Sequence, residues 1–226
     1  MKLSIIIPVF NEEKTIKDII EKVVASDTLN YKKEIIVVND GSTDRTSQIL
    51  EDLKKKFNFI LLSHQRNLGK GSAVRTALKE VSGEFILIQD AGLEYEPKDY
   101  PVLLRNLNRK TNVIYGKRSI FSGKRGYPHY ILGVKFITFL FNFLFSSNIT
   151  DVYTCYKLFP SSLIKSIPLE STGFELEIEI TAKILKRGIT IKEVPIHYRA
   201  RTFKEGKKIR PIDGFIGLWT MLKNRF

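Results

Sequence analysis

The first hundred residues repeat one unit: a run of consecutive apolar, largely β-branched residues, a short polar loop that in three of the four repeats carries an acid, then a stretch with apolar residues at helical spacing. Leu3 to Val9 reads as a buried strand, and Ile16, Ile19, Ile20, Val23 and Val24 place a helix over 12–25. Glu34 to Asn39 is a second strand, after which Thr43 or Asp44 caps a helix reaching about Phe57. A third strand spans Asn58 to Leu62, and the turn Asn67-Leu68-Gly69-Lys70-Gly71 opens a helix ending near Val81. Glu84 to Gln89 is a fourth strand running into Asp90. Unbroken apolar strands separated by amphipathic helices predict an α/β fold, with a mainly parallel sheet covered by helices on both faces.

That architecture puts ligands beyond the carboxyl ends of the strands. The loops there are Phe10-Asn11-Glu12-Glu13, Asp40-Gly41-Ser42-Thr43-Asp44 and Asp90-Ala91-Gly92-Leu93-Glu94. Three acidic loops on one rim repel one another unless a cation or donor groups sit between them. A metal-bound nucleoside diphosphate suits such a rim, because a hard cation bridges carboxylate and phosphate oxygens. Asp44 has a second reading as a helix N-cap. Asp90 does so less readily, since Pro97 moves the next helix start further along.

Past residue 110 the pattern changes. Asn112 to Lys117 is a fifth strand, followed by a basic loop with Lys117, Arg118, Lys124 and Arg125. Residues 130–145 form an apolar helix with Lys135, Thr138 and Asn142 on one stripe. An apolar face this wide suits a helix lying in a membrane interface, or one buried against the sheet or a second copy. The stretch is too short for a span, which needs roughly 20 residues. A short strand to Phe159, a helix over 174–187 carrying Glu175, Glu177 and Glu179, and a strand over 189–198 follow. The run Arg199 to Arg210 is polycationic and reads as a loop that is mobile when empty, and a last helix covers 212–223 with Phe215, Leu218, Trp219 and Leu222 on one side.

Charge divides the chain the same way. Residues 1–100 carry 15 basic and 16 acidic side chains, whereas residues 183–226 carry 12 and 3, so the formal net charge of +13 is concentrated at the end. Such a block fits a nucleic acid, an anionic membrane face or a phosphate-bearing substrate; nucleic acid ranks last because it leaves the acidic strand ends unexplained. The single cysteine, Cys155, forms no internal disulfide, and Pro8 interrupts the opening apolar run too early for a signal peptide, so the cytoplasm is the expected compartment.

Five segments in order, Ser4 to Glu13, Val37 to Asp44, Asn67 to Gly71, Gln89 to Glu94, and Tyr115-Gly116-Lys117-Arg118 with Val194-Pro195-Ile196, resemble family 2 glycosyltransferases of GT-A fold. The last of them and the basic loop look most like the polyprenyl-phosphate branch, the relatives of dolichyl-phosphate mannose synthase. The resemblance implies one GT-A domain over 1–226, with 1–118 as the nucleotide-sugar half and 119–226 as the acceptor and membrane-facing half. Pro8, Phe10 and Glu12 then line the base and ribose pocket, Asp40 accepts from the base, and Lys70 and Asp90 also face the nucleotide. Asp90 opens the family's Asp-x-Asp motif for Mg2+ or Mn2+, but the second acid is replaced by Gly92. Glu94 is then the second metal ligand, and a weakened or absent metal site is the alternative. Arg118 is implied as a clamp on the donor diphosphate, and Arg201, Lys207 and Lys208 as the grip on the acceptor phosphate. Asp151 stands at the catalytic-base position, with Glu175 or Glu177 as lesser candidates.

The expected activity is inverting transfer of a hexose from a GDP- or UDP-linked sugar to a polyprenyl phosphate. The enzyme would be peripheral at the inner face of a membrane, without nucleic acid and with a homo-oligomer open. Transfer to a saccharide hydroxyl and a non-catalytic nucleotide-sugar binder are the alternatives.

Overall fold

A computed structural model describes residues 1–108, 112–121, 126–206 and 208–226. Its strands are β1 (Lys2–Val9), β2 (Lys32–Asn39), β3 (Ile60–Ser63), β4 (Phe85–Ile88), β5 (Val113–Phe121), β6 (Lys157–Pro160) and β7 (Ile191–Tyr198). Its helices are α1 (Ile16–Ala25), α2 (Thr46–Lys54), α3 (Lys70–Leu78), α4 (Tyr100–Arg105), α5 (Pro128–Phe145), α6 (Ser161–Lys165), α7 (Leu176–Lys186) and α8 (Pro211–Arg225). The seven strands form one sheet in the order β3-β2-β1-β4-β6-β5-β7.

β1 pairs in parallel with β2 and β4, β2 with β3, and β5 with β7, while β6 runs antiparallel between β4 and β5. Leu3, Ser4, Ile5, Ile6 and Ile7 are all fully buried. Successive strand residues point to opposite faces, so β1 is covered on both, as its unbroken apolar run requires. The short α4 and α6 escape the periodicity argument, being of six and five residues.

Two apolar clusters fill the molecule. The larger joins the sheet to the helices around it, and the smaller holds Ile137 and Phe141 of α5, Val152, Ile178 and Ala182 of α7, and Met221 of α8. Thr138 and Asn142 of the polar stripe of α5 face this second cluster, while Lys135 is exposed. Thr138 accepts from the Val152 N–H at 3.3 Å, and Asn142 donates to the Ile149 carbonyl at 2.8 Å. The opposite side, with Leu132, Phe136, Phe139 and Phe143, is left exposed. α8 packs against α5 and α7, and Gly217 permits the approach: a Cβ there would lie inside contact distance of the Tyr153 hydroxyl and the Ile178 side chain.

Candidate active site

The loops after β1, β2 and β4 meet at the carboxyl edge of the sheet and are bonded to one another. The Asn11 N–H donates to Ser42 Oγ at 3.0 Å, the Thr43 N–H to Asn11 Oδ1 at 2.8 Å, the Glu12 N–H to Thr46 Oγ1 at 2.8 Å, and the Thr15 hydroxyl to the Ala91 carbonyl at 3.0 Å. Asp44 accepts from the Thr46 N–H at 2.9 Å and the Glu13 N–H at 3.2 Å, so it orders the start of α2 and ties the first loop to the second. Burial opposes its ionisation, but these donors hold its carboxyl below the usual range.

Asp40 is buried, accepting from the Leu68 N–H at 2.9 Å, the Gly69 N–H at 2.7 Å and the His64 ring at 2.7 Å. It therefore fastens the 64–69 loop, and two backbone donors and an imidazole already share its oxygens. The next residue must be glycine. Gly41 has φ +65°, and a Cβ on it would run into the Arg66 backbone.

At the centre lies Lys70, the first residue of α3. Its Nζ is 2.8 Å from Asp90 Oδ1, 2.9 Å from Glu177 Oε1 and 3.1 Å from Cys155 Sγ. Glu177 is paired on its other oxygen with the fully buried Lys157 at 2.5 Å. Burial works against charge on Lys70, but Asp90, Cys155 and Glu177 outweigh it and keep the ammonium firmly protonated. Burial likewise raises Asp90, and Lys70 with the Cys155 thiol brings it below the ordinary carboxylate range. Burial also pushes the Cys155 thiol well up, so it is a neutral donor to Asp90. Glu177 acts as a buried clamp on two lysines rather than a base open to substrate. Glu175 accepts from the Thr172 and Gly173 N–H groups at 3.0 and 2.9 Å. The parts played by Cys155 and Lys157 had no signal in the sequence, since neither belongs to a motif.

Arg201 crosses the rim. Its Nε and Nη2 each lie 3.0 Å from Glu94, on Oε1 and Oε2, and its Nη1 reaches Glu12 Oε1 at 2.8 Å and Oε2 at 3.1 Å. Lys208 reaches Glu12 Oε1 at 2.7 Å, donates to the Phe10 carbonyl and stands 5.5 Å above the Phe10 ring. The sequence placed both cations toward an acceptor phosphate; here they join the residues expected to line the nucleotide pocket. The physical reason is proximity of charge: Glu12 and Glu94 are the nearest anions. Lys207, the third cation expected on the acceptor, lies outside the described residues, as do Lys124 and Arg125 of the earlier basic loop.

The described part of the 199–210 run is itself hydrogen-bonded rather than an open loop. Thr202 and Glu205 cap a 3₁₀ turn at Phe203–Glu205, and Arg199 pairs with Glu205 at 3.0 Å. Pro8 ends no motif of its own; it sits in β1, paired with Val38.

Arg118, on β5, donates through Nε to Asp151 Oδ2 and lies 4.7 Å over the Tyr198 ring. Asp151 also accepts from the Tyr153 N–H at 3.0 Å. The clamp and the base inferred from sequence thus form one ion pair, with both carboxylate oxygens engaged.

Among the described residues, no group of three or more His, Cys, Asp or Glu side chains is arranged to hold a metal ion. The chemistry of the acids nevertheless fits one. Asp90, Glu94 and Glu12 all act on the same guanidinium, that of Arg201, and all three offer the hard oxygens that Mg2+ and Mn2+ take. Burial raises Glu94, which Arg201 counters while Asp90 and Glu12 add to it, leaving the carboxyl above its usual value. In this structure the three acids are paired with Lys70, Arg201 and Lys208, so a divalent cation would have to take Glu94 from Arg201. Asp90 and Glu94 would give it two protein ligands, the rest of the shell coming from phosphate and water.

The family model for "Glycosyl transferase family 2" matches residues 4–167, which contain every acidic loop described above. The chain belongs to glycosyl transferase family 2. Among the relatives of this family 2 chain is a dolichol-phosphate mannosyltransferase of Pyrococcus furiosus, 27% identical over 212 residues, covering 92% of this chain and 59% of the relative. Another is the dolichyl-phosphate β-glucosyltransferase ALG5A of Trichomonas vaginalis, 29% identical over 245 residues, covering 97% and 71%. The chain thus spans under two thirds of the length of the first. Among solved structures, glucosyl-3-phosphoglycerate synthase of Mycobacterium tuberculosis with UDP superposes at a TM-score of 0.76, with 20% identity, covering 99% of this chain and 80% of that one. The same enzyme has been solved with Mn2+, UDP and phosphoglyceric acid, at a TM-score of 0.76 and 20% identity over 99% of this chain and 78% of that one. These matches establish the GT-A fold for the family 2 chain.

Proposed function

We propose that this family 2 chain transfers a hexose from a nucleoside diphosphate sugar to a polyprenyl phosphate, with inversion, while docked on the inner face of a membrane. One observation carries the lipid acceptor. The cationic segment that reaches the rim through Arg201 and Lys208 runs directly into α8, which exposes Phe215, Trp219 and Leu222 and packs against α5, itself exposing Phe136, Phe139 and Phe143. Phosphate-binding charge and a lipid-seeking surface are thereby joined in one stretch of chain. The sequence relatives that act on dolichyl phosphate support the same class of acceptor.

The helix starts at Pro128 rather than at residue 130, and with 18 residues and a mean hydropathy of 1.3 α5 is long and apolar enough to cross a membrane, which corrects the expectation that the stretch is too short. Its inner side, however, is fastened by Ile137, Thr138 and Phe141 along the second cluster. We therefore read it as lying in the plane of the surface, with Phe136, Phe139 and Phe143 toward the acyl chains.

In the reaction the bond from the anomeric carbon to the diphosphate oxygen breaks, its electron pair leaving with the diphosphate. A bond to an acceptor phosphate oxygen forms on the opposite face. A phosphate monoester, with a second pKa near 6, is largely dianionic at neutral pH, so no base is needed to make the nucleophile. Asp151, held by Arg118 and the Tyr153 N–H, serves in this reading to position Arg118 rather than to remove a proton, which counts against a saccharide hydroxyl as acceptor. A divalent cation, held by Asp90 and Glu94, would neutralise charge on the diphosphate. Lys70 holds Asp90 ionised, Phe10 and Glu12 border the nucleotide, and Arg118 offers a charge-assisted donor to the phosphates.

The test is release of nucleoside diphosphate from GDP- and UDP-linked hexoses, with and without a short-chain polyprenyl phosphate. Release that requires the lipid phosphate, and falls by about 10²- to 10³-fold in kcat for Arg118→Ala, is the expected result. Release that requires a saccharide acceptor instead, or none from any donor, would overturn it.

A further inference from the structure

Gly92 stands where the family's metal motif has its second acid, and the structure gives that glycine a physical reason. A Cβ at residue 92 would lie far inside van der Waals contact of Arg201 Nη2 and of Glu94 Oε2. The guanidinium passes over the glycine to reach Glu94 with a two-pronged pair and Glu12 with a third nitrogen, and only about a tenth of the Arg201 side chain remains exposed. A planar fork sharing two carboxylates in a largely dehydrated site is a strong, directional arrangement. It also uses Glu94, one of the two carboxylates that a divalent cation would need.

We propose that Arg201 is the resident counter-cation of the donor rim and Gly92 its seat: the guanidinium holds Glu12 and Glu94 until a divalent cation and diphosphate take them, and only then serves the acceptor phosphate. This rests on the donor and cation reading above. In the empty enzyme Arg201, Lys208 and Lys70 balance Glu12, Glu94 and Asp90. A diphosphate adds negative charge that those three cations do not cover, and an entering divalent ion would compensate it. The exchange frees the one cation that stands between the donor rim and the segment leading to α8. Donor therefore binds before acceptor, because the acceptor's arginine is engaged until the donor arrives.

Mn2+ binding to the whole chain, followed by the electron paramagnetic resonance of the free ion without nucleotide, tests the competition directly. Arg201→Ala should bind Mn2+ about tenfold more tightly than the wild type. Arg201→Gln, which removes the charge while keeping much of the side chain's length, should also bind more tightly. Lys208→Ala, which removes a cation from Glu12 but not from Glu94, should change the affinity less than either Arg201 variant. Circular dichroism of each variant checks that it is folded, and the two Arg201 variants keep the test open if one of them fails to fold. Mn2+ affinity no tighter in Arg201→Ala or Arg201→Gln than in Lys208→Ala would overturn the proposal. If no form binds Mn2+ even with GDP or UDP present, the cation reading falls and this proposal with it; binding that ignores residue 201 removes this proposal alone.

Discussion

Single residues in this protein owe their roles to partners far along the chain. Glu34 shows it at the edge of the sheet remote from the site. Its Oε2 accepts from Ser4 Oγ at 2.5 Å and from the Ser82 N–H at 2.9 Å, and Lys2 Nζ lies 2.6 Å from Oε1. Burial pushes its carboxyl up, yet Lys2, Ser4 and Ser82 together bring it from 4.5 down to about 2. A carboxyl that binds its proton more weakly when folded stabilises the fold fully above its unfolded value, about 4.3 in water. That contribution drains away as pH falls from about 5 toward 2. Glu34→Gln should cost on the order of 1–2 kcal/mol at pH 7, the exposed Lys2 being discounted for screening, and clearly less as the pH approaches 2. Urea unfolding at pH 7, 4 and 2.5 measures this; equal losses at all three would show that the charge is irrelevant. At the rim Asp90 and Glu12, both held below the usual carboxylate range, follow the same rule, whereas Glu94, raised, runs against it. Their positions after strand ends are legible in the sequence, but their partners Lys70 and Arg201 are not, because Arg201 is 107 residues from Glu94 and 189 from Glu12.

At the level of elements, periodicity marks α5 and α8 as helices without saying which side turns inward. The sequence puts Lys135, Thr138 and Asn142 on one stripe without assigning it a side; Thr138 and Asn142 point into the protein and bond the 149–152 segment, while Lys135 is exposed. Local hydrogen-bonding needs of that segment draw the polar side in and leave phenylalanines outside. Phe136→Ser with Phe143→Ser, at 55% and 77% exposure, should leave thermal stability almost unchanged while reducing flotation with anionic liposomes. Phe141→Ala, on the buried side of the same helix, should cost about 3–5 kcal/mol. Loss of stability in the double serine variant, or undiminished flotation, would mean that the exposed side packs on protein. β6 teaches a similar lesson. Its residues read as a strand, but its antiparallel placement between β4 and β5 comes from the path of the chain through α5, which no repeat in the sequence encodes.

Across the whole molecule the charge is a gradient, from near neutrality in residues 1–100 to a net +9 in residues 183–226. Attraction between an exposed basic block and anionic lipid falls off within a Debye length, about 10 Å at 0.1 M salt. Binding to vesicles containing anionic lipid should therefore weaken markedly between 50 and 500 mM NaCl and be poor on neutral vesicles. Sedimentation decides it; strong binding to neutral vesicles at high salt would assign the affinity to the apolar helices alone. Sequence by itself determined the α/β class, the strand ends and the acidic loops beyond them, because those depend on periodicity and on neighbours a few residues away. Only the tertiary structure decided that Arg118 meets Asp151, that Lys70 and Lys157 share Glu177, and that Arg201 lies over Gly92 on Glu94 and Glu12. Those pairs form between segments brought together by the folded sheet, where burial strengthens each charge's need for a partner and distance along the chain has no bearing on which partner it finds.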